Sequence, residues 1–154
     1  MDKKMFCFQC EQTVGCAGCT GNAGVCGKKA DTARLQDELT GALIGLARAV
    51  DSTTAISKRT GQVIIEGLFT TVTNVNFDDV SIENMIQKVR AEKERLVPDC
   101  SKCQSPYGKT DEYDMQQLWN ANEDIRSLKS LILFGIRGMA AYAYHANVLN
   151  YEDA

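Results

Sequence analysis

The sequence is poor in features that would point to several common function classes. It has one histidine, His145, and nothing beside it makes a convincing partner in ligation. It has one tryptophan, Trp119, and two prolines, Pro98 and Pro106, both in a single stretch without periodicity. Charge is nearly balanced, with a formal net charge of −3 and signs that alternate along the chain. No basic stripe follows a phosphate backbone, which argues against a nucleic-acid partner. The opening residues MDKKMFCFQC have no apolar run of signal-peptide length behind them. The longest apolar stretch, Leu131 to Ala146, is broken by Arg137 and His145 and falls short of a membrane span. These absences predict a soluble, cytoplasmic protein without a membrane partner.

Cysteine is what the chain has in excess. Seven occur, five of them at positions 7, 10, 16, 19 and 26 and two at 100 and 103. A secreted disulfide scaffold is usually shorter, export-tagged and even in cysteine. Reduced, clustered thiols point instead to ligation of a soft metal.

Residues 5–30 also hold five glycines (Gly15, Gly18, Gly21, Gly24 and Gly27) and show no sustained period. They read as a loop wrapped around something, and residues 31–154 read as a helical bundle belonging to the same domain. Asp31 or Thr32 can cap a first helix that carries Leu35, Leu39, Leu43, Leu46 and Val50 at spacings of three and four. Gly41 and Gly45 on that helix would let a neighbouring backbone come close. A second helix is predicted over 58–74, with Ile64, Leu68 and Val72 in line. A third, capped by Asp78 or Asp79, turns Ile82, Ile86 and Val89 inward and ends before Pro98 in a charged string expected to face solvent. Residues 98–120 read as a loop. The last helix starts at Asn120 or Asn122, the former with capping-box spacing to Glu123, and continues to about Leu149. The prediction is an all-α fold, a bundle of about four helices with an N-terminal cysteine-rich loop. Apolar side chains surround the last helix over 131–146, so it should be wrapped by the bundle or covered by further protein, with Gly135 and Gly138 allowing close contact.

Four of the five clustered thiolates could complete a tetrahedral zinc site or hold an iron–sulfur cluster. Structural zinc usually takes two C-x2-C knuckles a dozen or more residues apart, whereas Cys10 and Cys16 are separated by five. A cubane is larger than one ion, and a single loop can wind around it. Phe6 and Phe8 could shield it from water. Iron–sulfur, zinc and a redox or disulfide loop all remain open on spacing alone.

The segments MFCFQCEQT, GCTGNAGVCGK and ADTARLQDEL closely resemble the N-terminus of hybrid cluster proteins, the prismane or hydroxylamine reductase family. NVNFDD and YDMQQLWNANEDIRSLKSLILFGIRGMAAYAYHA extend the resemblance over essentially the whole chain. It implies an N-terminal cluster held by Cys7, Cys10, Cys19 and Cys26, at gaps of two, eight and six residues. The gap of eight matches the short-spaced subgroup, which implies [4Fe–4S]; a longer-spaced subgroup carries [2Fe–2S]. Cys16 is then the spare thiol. The resemblance further implies an electron relay that takes electrons from an external donor and serves a hybrid cluster in later domains. Those domains are not in this sequence, so no residue here is assigned to the hybrid cluster or to reduction of hydroxylamine or a related nitrogen oxide. The chain alone is not expected to be catalytic.

The remaining candidates read as structural. Cys100 and Cys103 are loop thiols, His145 is a packed or interface histidine, and Trp119, Tyr142 and Tyr144 are packing residues. Asp111, Glu112 and Asp114 form a solvated acidic loop without the pattern of a calcium site. The rival reading is a stand-alone zinc-binding interaction module that recruits a partner, or a second copy of itself, through the apolar last helix.

Overall fold

The computed structural model describes residues 5–10, 18–51, 56–97 and 111–151. Cys16, Cys100, Cys103 and Pro98 lie outside the described residues. The described chain is helical and carries no named strand: α1 (Ala30–Asp51), α2 (Lys58–Thr70), α3 (Asp79–Leu96), α4 (Gln116–Trp119) and α5 (Glu123–Val148). The expected four helices are present, and α4 is a single added turn.

The core lies between α1, α2 and α3. Leu35, Leu39, Leu43, Leu46 and Val50 of α1 meet Val63 of α2 and Ile82, Met85, Ile86 and Val89 of α3. This is the stripe that the three-and-four spacing marked out. Gly67 of α2 packs against Leu43, and Gly41 of α1 lies under the Tyr113 carbonyl, where a Cβ would come within 2.3 Å of the oxygen. Gly41 therefore admits a backbone, as its place on the helix suggested. Its own carbonyl accepts the Tyr113 N–H at 3.2 Å.

Several boundaries differ from expectation. Helix α1 begins at Ala30, so neither Asp31 nor Thr32 is its cap; the Thr32 hydroxyl donates to Asp79 Oδ1 at 2.6 Å and ties α1 to α3. Helix α2 stops at Thr70, not Asn74. There the Thr70 and Thr71 hydroxyls turn back to the Glu66 and Leu68 carbonyls, and Asn74 takes a positive φ of 63°. Asp78 caps α3 by accepting the Val80 N–H, and Asn122 caps α5 through the Asp124 N–H. The Asn120–Glu123 capping box does not form, because Asn120 closes α4.

Two charged segments are more engaged than their composition suggested. Glu92, expected on a solvated face, is 1 % exposed and accepts from Thr60 and Arg95 at 2.7 and 2.6 Å, with Arg59 at 3.0 Å. Glu112 of the acidic loop takes two bonds from Arg90, at 2.6 and 2.8 Å, and Arg90 also reaches Glu38 of α1. That fork fastens the segment before α4 to the bundle.

Helix α5 departs furthest from the expectation of burial. It packs along α2, with Tyr144 stacked on Phe69 at 4.3 Å and His145 edge-on to the same ring. Its two buried residues are Ala140 and Arg137, while Leu131, Ile132, Met139 and Tyr142 are 61–85 % exposed. Nothing lies within 4 Å of a Cβ placed on Gly135 or Gly138, so the close contacts expected there are absent among the described residues. No described helix is long and apolar enough to cross a membrane.

Candidate metal centre

The cysteine loop is laid across the end of the bundle where α1 begins. Its fixed point is an antiparallel bridge: the Cys7 N–H donates to the Cys19 carbonyl at 3.1 Å, and the Cys19 N–H returns to Cys7 at 2.7 Å. Two cysteines twelve residues apart in sequence are thus opposite each other, both buried with Met5 and Ala33. Gly18 makes the pairing possible. Its φ is +94°, and a Cβ there would press on the Cys7 carbonyl at 3.2 Å and on the Phe6 ring at 3.3 Å. Cys26 sits in a turn closed by the Gly27 N–H to the Gly24 carbonyl, with its sulfur 3.4 Å from a Cβ placed on Gly24. Cys10 and Cys26 are half-buried, and Cys7, Cys10, Cys19 and Cys26 are all free thiols.

Among the described residues, no three histidine, cysteine or carboxylate side chains converge tightly enough to grip a single metal ion. The bridge brings Cys7 and Cys19 together, and the loop keeps Cys10 and Cys26 at the same end of the molecule. Burial pushes the Cys7 thiol up, opposed by a backbone hydrogen bond from Gln9 and by the charge of Lys28. A soft metal would reverse that preference, since thiolate is the ligating form. Four reduced thiols on one glycine-turned loop fit such a group chemically.

Below the loop lies a buried polar layer centred on Gln9, in the middle of the first C-x2-C. Its amide oxygen accepts from the Lys28 ammonium at 2.6 Å; its amide nitrogen donates to the Ala33 carbonyl at 2.9 Å and to Asp37 Oδ1 at 2.7 Å. The donor-only lysine and the acceptor carboxylate fix the orientation of the amide. Lys28 is 3 % exposed. Beside this layer Arg137 reaches in from α5, donating to the Thr71 and Thr40 hydroxyls at 3.1 and 3.0 Å. Burial lifts the Asp37 carboxyl to about 6, against the pull of Gln9, Arg137 and Lys28. It also lowers Arg137 to about 10, an effect that Asp37 and Cys7 oppose. A cavity of about 10 Å3, the size of one water, lies between Gln9, Asp37, Phe8 and Arg137.

The outer side is aromatic. Trp119 packs on Phe6 and Phe8 at 5.3 and 5.1 Å, and Arg126 lies over its indole at 4.7 Å. Phe6 and Phe8 lie on either side of Cys7 in the chain, and Trp119, brought in by the unforeseen turn α4, packs on both rings. Phe6 also lines an open cleft of about 540 Å3 between the start of α1 and residues 112–116. Nothing in the cysteine spacing singles out Gln9, Lys28 or Asp37. The available signal was Arg137, a lone cation inside an apolar helix.

Residues 5–154 match the profile of the Prismane/CO dehydrogenase family. A hydroxylamine reductase of Porphyromonas gingivalis is 39 % identical over 99 % of this chain, and one of Methanococcus vannielii is 38 % identical over 97 %. A third, from Clostridium perfringens, is 37 % identical over 96 %. In each case the chain spans about 31 % of the relative's length. No solved structure matches.

Proposed function

The chain belongs to the Prismane/CO dehydrogenase family, and on that premise we propose that it is the iron–sulfur electron-transfer portion of a hydroxylamine-reductase-like protein. Cys7, Cys10, Cys19 and Cys26 are the ligands in this reading, and [4Fe–4S] is the cluster. The observation that carries it is the Cys7–Cys19 bridge, which aligns two buried free thiols from separate parts of one loop. When bound, an iron–sulfur cluster takes up and releases single electrons.

The chain's own residues hold and insulate that place. Gly18 and Gly27 give the loop the positive φ angles it needs to turn back on itself. Phe6, Phe8 and Trp119 keep water from the Cys7 side, and the Gln9 amide fixes the loop to α1. An external donor supplies electrons at this end. The substrate-reducing site belongs to the larger part of the relatives, outside the shared length, and the outward face of α5 is where such further protein packs. A cytoplasmic setting belongs to this reading, because clustered thiols stay reduced there and free to bind a cluster.

Anaerobic purification of the 154-residue chain tests the proposal. It should give a brown protein absorbing broadly near ~400 nm, with about four irons and four sulfides per chain, and no hydroxylamine turnover. A colourless protein holding one zinc would overturn it in favour of the interaction-module reading. Turnover of hydroxylamine by this chain alone would refute the separation of relay from active site.

A further inference from the structure

Burying an ion costs several kcal/mol unless a counter-ion and hydrogen bonds replace its water. Beneath the cysteine loop two cations are buried, Lys28 at 3 % and Arg137 at 4 % exposure. Among the described residues, neither has a carboxylate within ion-pair distance. Lys28 meets the neutral Gln9 amide, and Arg137 meets two threonine hydroxyls. Asp37 is the carboxylate beside them, and it reaches Lys28 only through Gln9. Within the buried layer two cations thus stand against one carboxylate, and the other carboxylate acting on it, Asp114, lies out at the exposed edge. Lys28 follows Cys26 by two residues, its Cβ and the Cys26 sulfur both lie within 4 Å of a Cβ placed on Gly24, and its charge acts on Cys7. The buried excess of cations therefore faces the thiols.

We infer that Lys28, supported by Arg137, is the buried counter-charge of the anionic thiolate-ligated group held by Cys7, Cys10, Cys19 and Cys26, and that it raises that group's reduction potential. The inference rests on the iron–sulfur reading above. Reduction by an external one-electron donor adds one negative charge to the site without forming or breaking a bond in these residues. A fixed positive charge nearby stabilises the reduced form more than the oxidised form. Lys28 acts through the ligated group, so it is a positioning residue. Asp37 acts in the opposite sense, and the Gln9 amide holds both charges at fixed distance. The Lys28–Gln9–Asp37 chain is thus a way of setting the potential with groups that never touch the metal.

The test is a redox titration of the 154-residue chain, reconstituted anaerobically with ferrous iron and sulfide, reduced stepwise with dithionite and followed by electron paramagnetic resonance. Lys28→Met should keep its iron and shift to a more negative midpoint. Lys28→Arg, which keeps the charge, should stay near the parent value. Asp37→Asn retains an acceptor for Gln9 and removes a negative charge, so its midpoint should become more positive. Opposite shifts are the signature, because loosened packing alone would not give the two variants opposite signs. If both variants keep the parent midpoint, or both move the same way, the counter-charge role is wrong while the cluster reading stands. If Lys28→Met fails to load, Asp37→Asn decides alone: an unmoved or lowered midpoint overturns the inference. If the parent chain takes up no iron, the cluster reading fails and this inference fails with it.

Discussion

Two regions of this bundle bury charge, and they treat it in opposite ways. At the seam of α2 and α3, Glu92 is met by Thr60, Arg59 and Arg95, so its charge is answered within the protein. Its carboxyl is held down at about 2, mainly by the Arg95 hydrogen bonds. Under the cysteine loop, Lys28 and Arg137 are satisfied by neutral groups, and their charge is left open. The first arrangement is closed and serves to join helices. The second leaves no buried side-chain polar atom without a hydrogen-bond partner among the described residues, but its cations meet a carboxylate, Asp37, only at a distance.

Both regions stand on the same apolar core, so hollowing that core is the largest perturbation and should not distinguish them. Leu39 is fully buried on α1 within that core. Leu39→Ala should lower the free energy of unfolding by about 3 kcal/mol, through lost transfer energy and the cavity left behind. Urea denaturation followed by circular dichroism measures it. Iron content of the folded fraction should not change; a large loss of iron with little loss of stability would show that the loop depends on this core side chain directly.

Glu92→Ala comes next, at about 2 kcal/mol, since it removes the buried carboxylate that Thr60, Arg59 and Arg95 share, although Thr60 can turn to Ser57 and both arginines to solvent. The sign of its pH dependence follows from the depressed carboxyl. The folded value of about 2 lies below the ordinary 4.5, so the stabilisation is complete above about 4.5 and is lost as pH falls towards 2. The gap between parent and variant should therefore close in that window. A gap that is the same at pH 2.5 and pH 7 would mean that packing, not charge, joins this seam.

Asp37→Asn should behave in reverse. The Asp37 carboxyl is raised from 3.8 to about 6, so its ionised form is disfavoured in the fold. Stability then falls as pH rises from about 4 to about 6 and is level above that. In the metal-free chain the variant should match the parent at pH 4 and exceed it by on the order of 1 kcal/mol at pH 7. If Asp37→Asn is the less stable protein at pH 7, the layer below the loop is closed like the α2–α3 seam and the comparison fails.

The helices were legible because burial of α1, α2 and α3 is one-sided and leaves a periodic record in Leu35, Leu39, Leu43, Leu46, Ile82, Ile86 and Val89. The clustered thiols were legible as a set of spacings, and the proposed ligand set came from the resemblance. The layer that supports them was not. Gln9, Lys28 and Asp37 come together across the 24 residues that separate Gln9 from Ala33 and more, through one amide, and no local pattern encodes that meeting. Glu92 was misread for a related reason: a charged string on a helix looks solvated until two arginines and a threonine close over one member. Helix α5 left two outcomes open, wrapping by the bundle or cover by further protein, and the described chain covers only one side.

That uncovered side gives the smallest expected effect on the isolated chain and the sharpest contrast with the buried arginine two residues away. Met139 is 73 % exposed, whereas Arg137 is 4 % exposed. Met139→Glu should change the stability of the 154-residue chain by less than about 0.5 kcal/mol, the usual range for a surface position. If further protein packs on this face, as proposed, the same substitution in a full-length relative buries a charge and should lower the melting temperature by several degrees. Arg137→Met should do the reverse, affecting the short chain at least as much as the long one, because its partners Thr40 and Thr71 are already present. Equal, small effects of Met139→Glu in both contexts would show that this face remains open to water in the larger protein. The apolar surface of α5 would then need a different partner, and a second copy of the chain is the one that sedimentation of the short chain could detect.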